Sequence, residues 1–291
     1  MRLDNNFRGA GLMTCCVMAY VINDAIMKLL FADIDFFQAI FLRGVVSLPP
    51  LLFLALMTKN FLQKYSTKNK RLMSIRILAE IGTTVTFLTA LKYMPLANVT
   101  AILQSLPLAI TMAAAIFLGE KVGWRRWSAI FIGFTGVLII VRPGLVGFNS
   151  YSLLALAAVL LLTVREISTR KLDSNIPTVT VAFSTTLGST IFAALMLTGR
   201  DWAEVDLASW LLIITAAVAV TVATLLSVVA MRTGDISFVS PFRYTSLIGA
   251  IGLGILLFGE WPDGITFTGA FIIVFAGIYS IYREKILGKN N

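Results

Sequence analysis

The sequence predicts an all-α polytopic membrane protein of ten transmembrane helices, built as two inverted five-helix repeats. Three observations predict it. Hydrophobic residues make up 58% of the chain and charged residues 13%, against about 45–50% and about 25% in soluble domains. Surface-to-volume scaling leaves a soluble domain too little interior for so much apolar side chain, whereas a lipid-facing surface absorbs it. Runs such as SLLALAAVLLLTV and WLLIITAAVAVTVATLLSVVAM approach or reach the roughly 20 apolar residues that cross a bilayer. They lack the alternation over about ten residues that marks outer-membrane strands. Finally, LGEK at 118–121 and FGEW at 258–261 set two Gly-Glu pairs 140 positions apart. That offset continues upstream without a gap.

Taken in order, the spans fall at about 9–31, 36–57, 72–93, 96–119 and 124–142, then 151–169, 177–198, 208–231, 236–258 and 264–283. The breaks between them carry turn chemistry or charge: FADIDF, MPLAN, RPGLVGFNS, DSNIP, TGRDWAEVD, RTGD and GEWPDG. Nothing is left over for a soluble domain, and the halves divide at 1–145 and 146–291. The first span lacks an A-x-A cleavage pattern and reads as a retained helix. Trp124, Trp127, Trp202, Trp210 and Trp261 fall near predicted interfaces, as an aromatic belt requires.

Lysine and arginine set the orientation. Sixteen fall in segments on the side of the N-terminus and three, Lys92, Arg142 and Arg200, on the opposite side. The positive-inside rule then places both termini in the cytoplasm. The net charge of +9 is therefore topology, and no nucleic-acid partner is expected. Ten spans divide into five and five, and an odd number reverses the second copy. Inverted halves of this kind recur in secondary transporters, which expose a midplane site alternately to each side.

The fourth span carries Leu106-Pro107 and closes on Leu118-Gly119-Glu120, and the fifth reads IGFTGVLIIVRPG with Gly133 and Gly136. The second half offers Phe258-Gly259-Glu260 and GAFIIVFAGIYSI with Gly269 and Gly277. On these residues the chain resembles the EamA branch of the drug/metabolite transporter superfamily across nearly its whole length. The resemblance implies a ten-helix bundle of two five-helix repeats that carries amino acids, other metabolites, cofactors or drugs. One departure stands out: Leu247 occupies the position to which Pro107 maps, and the nearest proline is Pro241.

Eight ionisable residues lie within the predicted spans: Asp24, Lys28, Arg43, Arg76, Glu80, Arg165, Glu166 and Arg243. A charge at membrane depth costs a few kcal/mol or more, so each is expected to face the interior and find a partner. Asp24 with Lys28, and Arg76 with Glu80, are four apart and suited to pair on one helix face. Lys28 and Arg76 also sit near predicted helix ends, where snorkelling relieves them. Arg43 and Arg243 have no acid within a turn. Arg165 and Glu166 are adjacent and point about 100° apart, so they are not expected to satisfy each other fully.

Uncharged stripes add to these. Thr100, Gln104, Pro107 and Thr111 share one face of the fourth span; Ser237, Ser240 or Pro241, and Tyr244 share one face of the ninth. At the 140-residue offset Gln104 overlays Tyr244. Each proline removes a backbone donor and frees a carbonyl, which is tolerable only against protein or a wet cavity. These patterns predict a mid-membrane cavity walled by the first, third, fourth, sixth, eighth and ninth spans. Its substrate-binding candidates are Asn23, Arg43, Glu80, Gln104, Arg165, Glu166, Arg243 and Tyr244.

With no histidine and with Cys15 and Cys16 adjacent inside a span, neither a metal site nor a disulfide framework is expected. No phosphate-binding loop or nucleophile elbow occurs, so neither an enzyme nor a cofactor is indicated. The leading reading is a secondary-active transporter or exchanger of a small polar metabolite, an amino acid or related carboxylate or zwitterion. Within the spans the basic residues exceed the acids by two, which leans toward a substrate bearing carboxylate or phosphate. A carrier of S-adenosylmethionine or riboflavin is the family-level alternative, and a channel or lipid scramblase a further class. Membrane lipids, and a proton or counter-substrate, are the other expected partners, the interior carboxylates being the groups able to titrate.

Overall fold

The computed structural model describes residues 2–58, 65–117, 119, 122–145, 148–173, 175–233 and 239–288. Its helices are α1 (Arg2–Asp33), α2 (Phe36–Leu56), α3 (Thr67–Tyr93), α4 (Leu96–Leu103), α5 (Leu106–Phe117), α6 (Trp124–Val141), α7 (Tyr151–Arg170), α8 (Thr178–Met196), α9 (Leu207–Thr233), α10 (Thr245–Phe258) and α11 (Gly264–Gly288). A 3-10 turn, Ser240–Tyr244, precedes α10. Ten stretches are long and apolar enough to cross a membrane; α4 with α5 form one, and the 3-10 turn with α10 another. Large apolar side chains such as Leu256, Phe271, Ile248 and Phe131 point outward, 65–79% exposed, as lipid contact requires. Trp124, Trp202 and Trp261 are exposed near helix ends, while Trp127 packs inward on Leu108 and Ile130.

Two boundaries differ from the sequence expectation. Helix α3 begins at Thr67, five residues before the expected start, because the Ser66 side chain caps it by accepting from Asn69 N at 3.3 Å. Its charged first turns extend beyond the apolar stretch that hydropathy detects. The fourth span, expected to be continuous, breaks at Gln104 and Ser105. Pro107 has no N–H to offer the Leu103 carbonyl, so the α ladder ends there. Gln104 N and Ser105 N close tighter three-residue turns onto Ala101 O and Ile102 O, and Ser105 Oγ also donates to Ile102 O at 2.7 Å. The described part of the ninth span opens with the 3-10 turn, which contains Pro241. At the 140-residue offset that turn maps to residues 100–104 and meets the break in the fourth span at Gln104.

The principal packing pairs are α1 on α9, α3 on α7, α6 on α11 and α2 on α8; α2 also meets α9, α3 meets α8, α1 meets α10 and α5 meets α7. Exchanging each span for the one five places along maps this set of pairs onto itself. Glycines permit the closest approach. A Cβ on Gly136 would lie 2.8 Å from Gly269 O, and one on Gly269 would lie 2.7 Å from Gly136 O. Only glycines at both positions let α6 and α11 pack this tightly. Gly119 and Gly259 both take positive φ, +68° and +64°. The Gly259 N–H closes α10 onto Ile255 O, a left-handed helix cap. Leu118, Glu120 and Ser237 lie outside the described residues.

The end of the bundle opposite the N-terminus, termed the far end below, is tied shut across the two halves. Tyr93 stacks on Tyr151 with ring centroids 4.4 Å apart. Gln38 exchanges two hydrogen bonds with the Ala203 backbone, at 2.7 and 3.0 Å. Arg200 pairs with Asp35 at 3.2 Å, and Arg142 pairs with Asp263. The Arg142 hydrogen bond, with further bonds from Thr266, holds the Asp263 carboxyl down at about 2. Beneath these ties lies an apolar plug that includes Met27, Leu30, Phe31, Leu91 and Leu96.

Candidate functional site

Arg165 on α7 is the centre of the interior charge cluster. Its Nη1 donates to Glu80 Oε2 at 2.9 Å, while Nε and Nη2 donate to Glu166 Oε1 at 3.2 and 2.7 Å. The adjacent pair thus does join, contrary to the expected divergence, because the long arginine side chain folds back along the helix. Glu166 still shares only one oxygen with it. The expected Arg76–Glu80 pair is loose at 3.9 Å, since Glu80 takes the better geometry offered by Arg165. Arg76 Nε and Nη1 are buried without a hydrogen-bond partner. Side chains in this cluster are 14–33% exposed, so they are only partly covered by the bundle although they lie within the spans.

A second group joins α1 to α2. Arg43 Nη1 donates to Asn23 Oδ1 at 3.2 Å, and Asn23 Nδ2 donates to Asp24 Oδ1 at 2.9 Å. Arg43 therefore finds its partner on another helix, as its sequence context requires. The expected Asp24–Lys28 pair does not form. Lys28 turns to the far end, where it bonds Glu260 Oε1 at 2.5 Å and Met94 O at 2.7 Å. Glu260 Oε2 accepts from Leu96 N at 2.9 Å, capping α4 from the opposite half. With Lys28 spent there, the interior holds Arg43, Arg76, Arg165 and Arg243 against Asp24, Glu80 and Glu166. The cationic surplus is one, not two.

Gln104 and Tyr244 serve the joint between the fourth and ninth spans. Gln104 Nε2 donates to Ser246 Oγ at 2.9 Å and Arg243 O at 3.4 Å. Tyr244 is 6% exposed and packs its hydroxyl against Gly277, with no hydrogen-bond partner. Its shared depth with Gln104 is real, but it faces the tenth span. Arg243, one residue earlier, differs: among the described residues its guanidinium makes no hydrogen bond or ion pair. Its charge bears on Glu166, as does that of Arg76. Of the eight candidates, the structure gathers Glu80, Arg165, Glu166 and Arg243 into one charged region with Asn23 and Arg43 beside it. It adds Arg76 and Asp24, which the sequence reading left to snorkelling and local pairing. A separate cleft of about 280 Å³ lies at the far end among Asn98, Arg142, Asn149, Ser152 and Asp263; none of the eight lines it.

Ten helices long and apolar enough to cross a membrane, around a charged interior, are the architecture of a membrane transporter. The chain belongs to the EamA-like transporter family, whose profile matches residues 7–142 and again 149–283. Among its relatives, a riboflavin transporter of Vibrio cholerae is 36% identical over 199 residues, covering 68% of this chain and 66% of that protein. An S-adenosylmethionine uptake transporter of Rickettsia bellii is 25% identical over 281 residues, covering 95% and 94%. A pseudopaline exporter of Pseudomonas aeruginosa is 24% identical over 204 residues, covering 69% and 71%. One crystal structure superposes with a TM-score of 0.60 across 99% of each chain at 17% identity, which shows a shared fold.

Proposed function

We propose that the protein is a secondary-active transporter of a small metabolite that bears an amino-acid carboxylate and ammonium, with S-adenosylmethionine its best-supported member. The observation that carries this is the unpaired guanidinium of Arg243, close enough to Glu166 for the two charges to interact. A carboxylate fits Arg243 and the unpartnered donors of Arg76; an ammonium fits the Glu166 oxygen that Arg165 leaves unshared. S-Adenosylmethionine presents both groups, and relatives spanning nearly the whole chain carry it. A second reading, riboflavin, is favoured by the 36% identity to the Vibrio cholerae carrier. Riboflavin has no carboxylate, so it forms no ion pair with Arg243.

Thermal-shift titration of the purified protein separates the two. A ligand at 100 times its Kd adds about 2.7 kcal/mol to the folded state. S-Adenosylmethionine is expected to raise the melting temperature and riboflavin to leave it unchanged. A shift with riboflavin alone establishes the second reading. No shift with either compound or with an amino-acid panel overturns both.

We further propose that the two matched halves are inverted copies that rock in alternating access, with both termini in the cytoplasm of a bacterial inner membrane. The five spans per half and the self-mapping pairing pattern support the first point, and the lysine and arginine bias the second. Because the described far-end ties close that end, this conformation faces the N-terminal side. Single cysteines in place of Thr67 and Asp201, both exposed, test the orientation; Ser66 is left intact because it caps α3. An impermeant thiol reagent outside intact cells is expected to label position 201 and spare 67. The reverse pattern refutes the orientation.

A further inference from the structure

We propose that Asp24 is the residue that carries a coupling proton; this deepens the transporter reading above and rests on it. Three of the four carboxylates facing the interior or its far rim are committed to cations. Glu80 and Glu166 bond Arg165 at 2.9 and 2.7 Å, and Glu260 bonds Lys28 at 2.5 Å. Protonating any of them discards a charge-assisted bond and leaves a cation uncompensated. Asp24 has no such bond among the described residues. Its one contact is the Asn23 amide, which donates to Oδ1 at 2.9 Å. The carbonyl oxygen of a neutral carboxylic acid accepts that bond equally well. Asp24 alone among the four takes a proton without breaking a hydrogen bond to a cation; its tie to Arg43 acts through space.

Its surroundings turn that proton into a signal. Arg43 on α2 shares the Asn23 amide with Asp24 and also acts on its charge through space. On α1 itself Lys28 is engaged by Glu260, and Tyr20 bonds Thr224 at 3.3 Å. Packed against α1, α3 contributes Arg76 and Glu80, and the 3-10 turn contributes Arg243. The described side chains of α9 and α10 add no titratable group. With Asp24 ionised the interior holds four cations and three anions; with Asp24 protonated it holds four and two. The protonated form therefore attracts a substrate carboxylate more strongly. Linkage makes the effect reciprocal, so a carboxylate bound at Arg243 also favours the proton. Proton and substrate then load together from one side and leave together on the other.

The first arm needs no substrate. Infrared titration of the purified protein is expected to show a protonated-carboxyl C=O band that grows as pH falls and is missing in Asp24→Asn. The asparagine offers Asn23 the same acceptor, so the variant is expected to fold; Asp24→Glu is the second variant and should retain a band at a shifted midpoint. The second arm uses proteoliposomes and radiolabelled S-adenosylmethionine. A one-unit pH gradient is expected to drive up to about tenfold accumulation per proton in the wild type. Asp24→Asn is expected to exchange the label between compartments yet accumulate none. An infrared titration identical in the wild type and Asp24→Asn overturns the proposal, as does undiminished gradient-driven accumulation by that variant. If the wild type moves no S-adenosylmethionine, the substrate reading falls, and the infrared arm still decides the role of Asp24.

Discussion

Arg165→Met is expected to cost about 3 kcal/mol of folding stability, the largest loss of any single substitution in the interior. The guanidinium makes three hydrogen bonds to two carboxylates on two helices. Removing it strands Glu80 and Glu166 together, and breaking a buried pair costs about 3–5 kcal/mol because the remaining charge is uncompensated. Partial exposure of these side chains, 23–33%, places the figure at the lower end of that range. The double variant in which Glu80 also becomes Gln is expected to recover part of the loss, since a cation and an anion then leave together and the interior keeps its wild-type charge balance. Thermal melting of detergent-purified protein measures both. A loss below about 1 kcal/mol for Arg165→Met shows that the cluster does not hold α3 against α7.

The same network marks where the sequence stops being informative. Span number and position are legible because apolar length is a local property; Pro107 and Pro241 are visible too, but hydropathy reads the fourth span straight through its break. Partners are not. Lys28 and Glu260 lie 232 positions apart, and the helical i,i+4 rule assigned Lys28 to Asp24 because it sees one helix at a time. At membrane depth the strongest available geometry wins, and that came from another span. Arg76 was discounted for a related reason. A place near the end of the apolar stretch suits snorkelling, yet Arg76 turns inward and its Nε and Nη1 are buried. For Tyr244 the repeat offset gave the depth correctly. It carried no information about rotation, and the ring turns toward Gly277.

Arg243 is expected to show the opposite signature to Arg165: binding lost, stability kept. Its guanidinium bonds no described group, so replacing it strands no partner, and Arg243→Gln is expected to melt within about 1 kcal/mol of the wild type. A charge-assisted hydrogen bond to a ligand contributes about 1.5–3 kcal/mol, and a bidentate pair more than a single contact. Arg243→Gln is therefore expected to weaken S-adenosylmethionine binding by roughly 10- to 100-fold or more. Arg243→Lys keeps the charge but not the planar fork, so it is expected to recover only part of that affinity. Riboflavin, lacking a carboxylate, serves as the control: any stabilisation it gives is expected to survive both substitutions. Calorimetric titration of the two folded variants decides the matter. If Arg243→Gln binds S-adenosylmethionine as tightly as the wild type, the carboxylate does not sit on Arg243. The unpartnered donors of Arg76 then become the anion site, and the substrate lies deeper along α3, against Glu80.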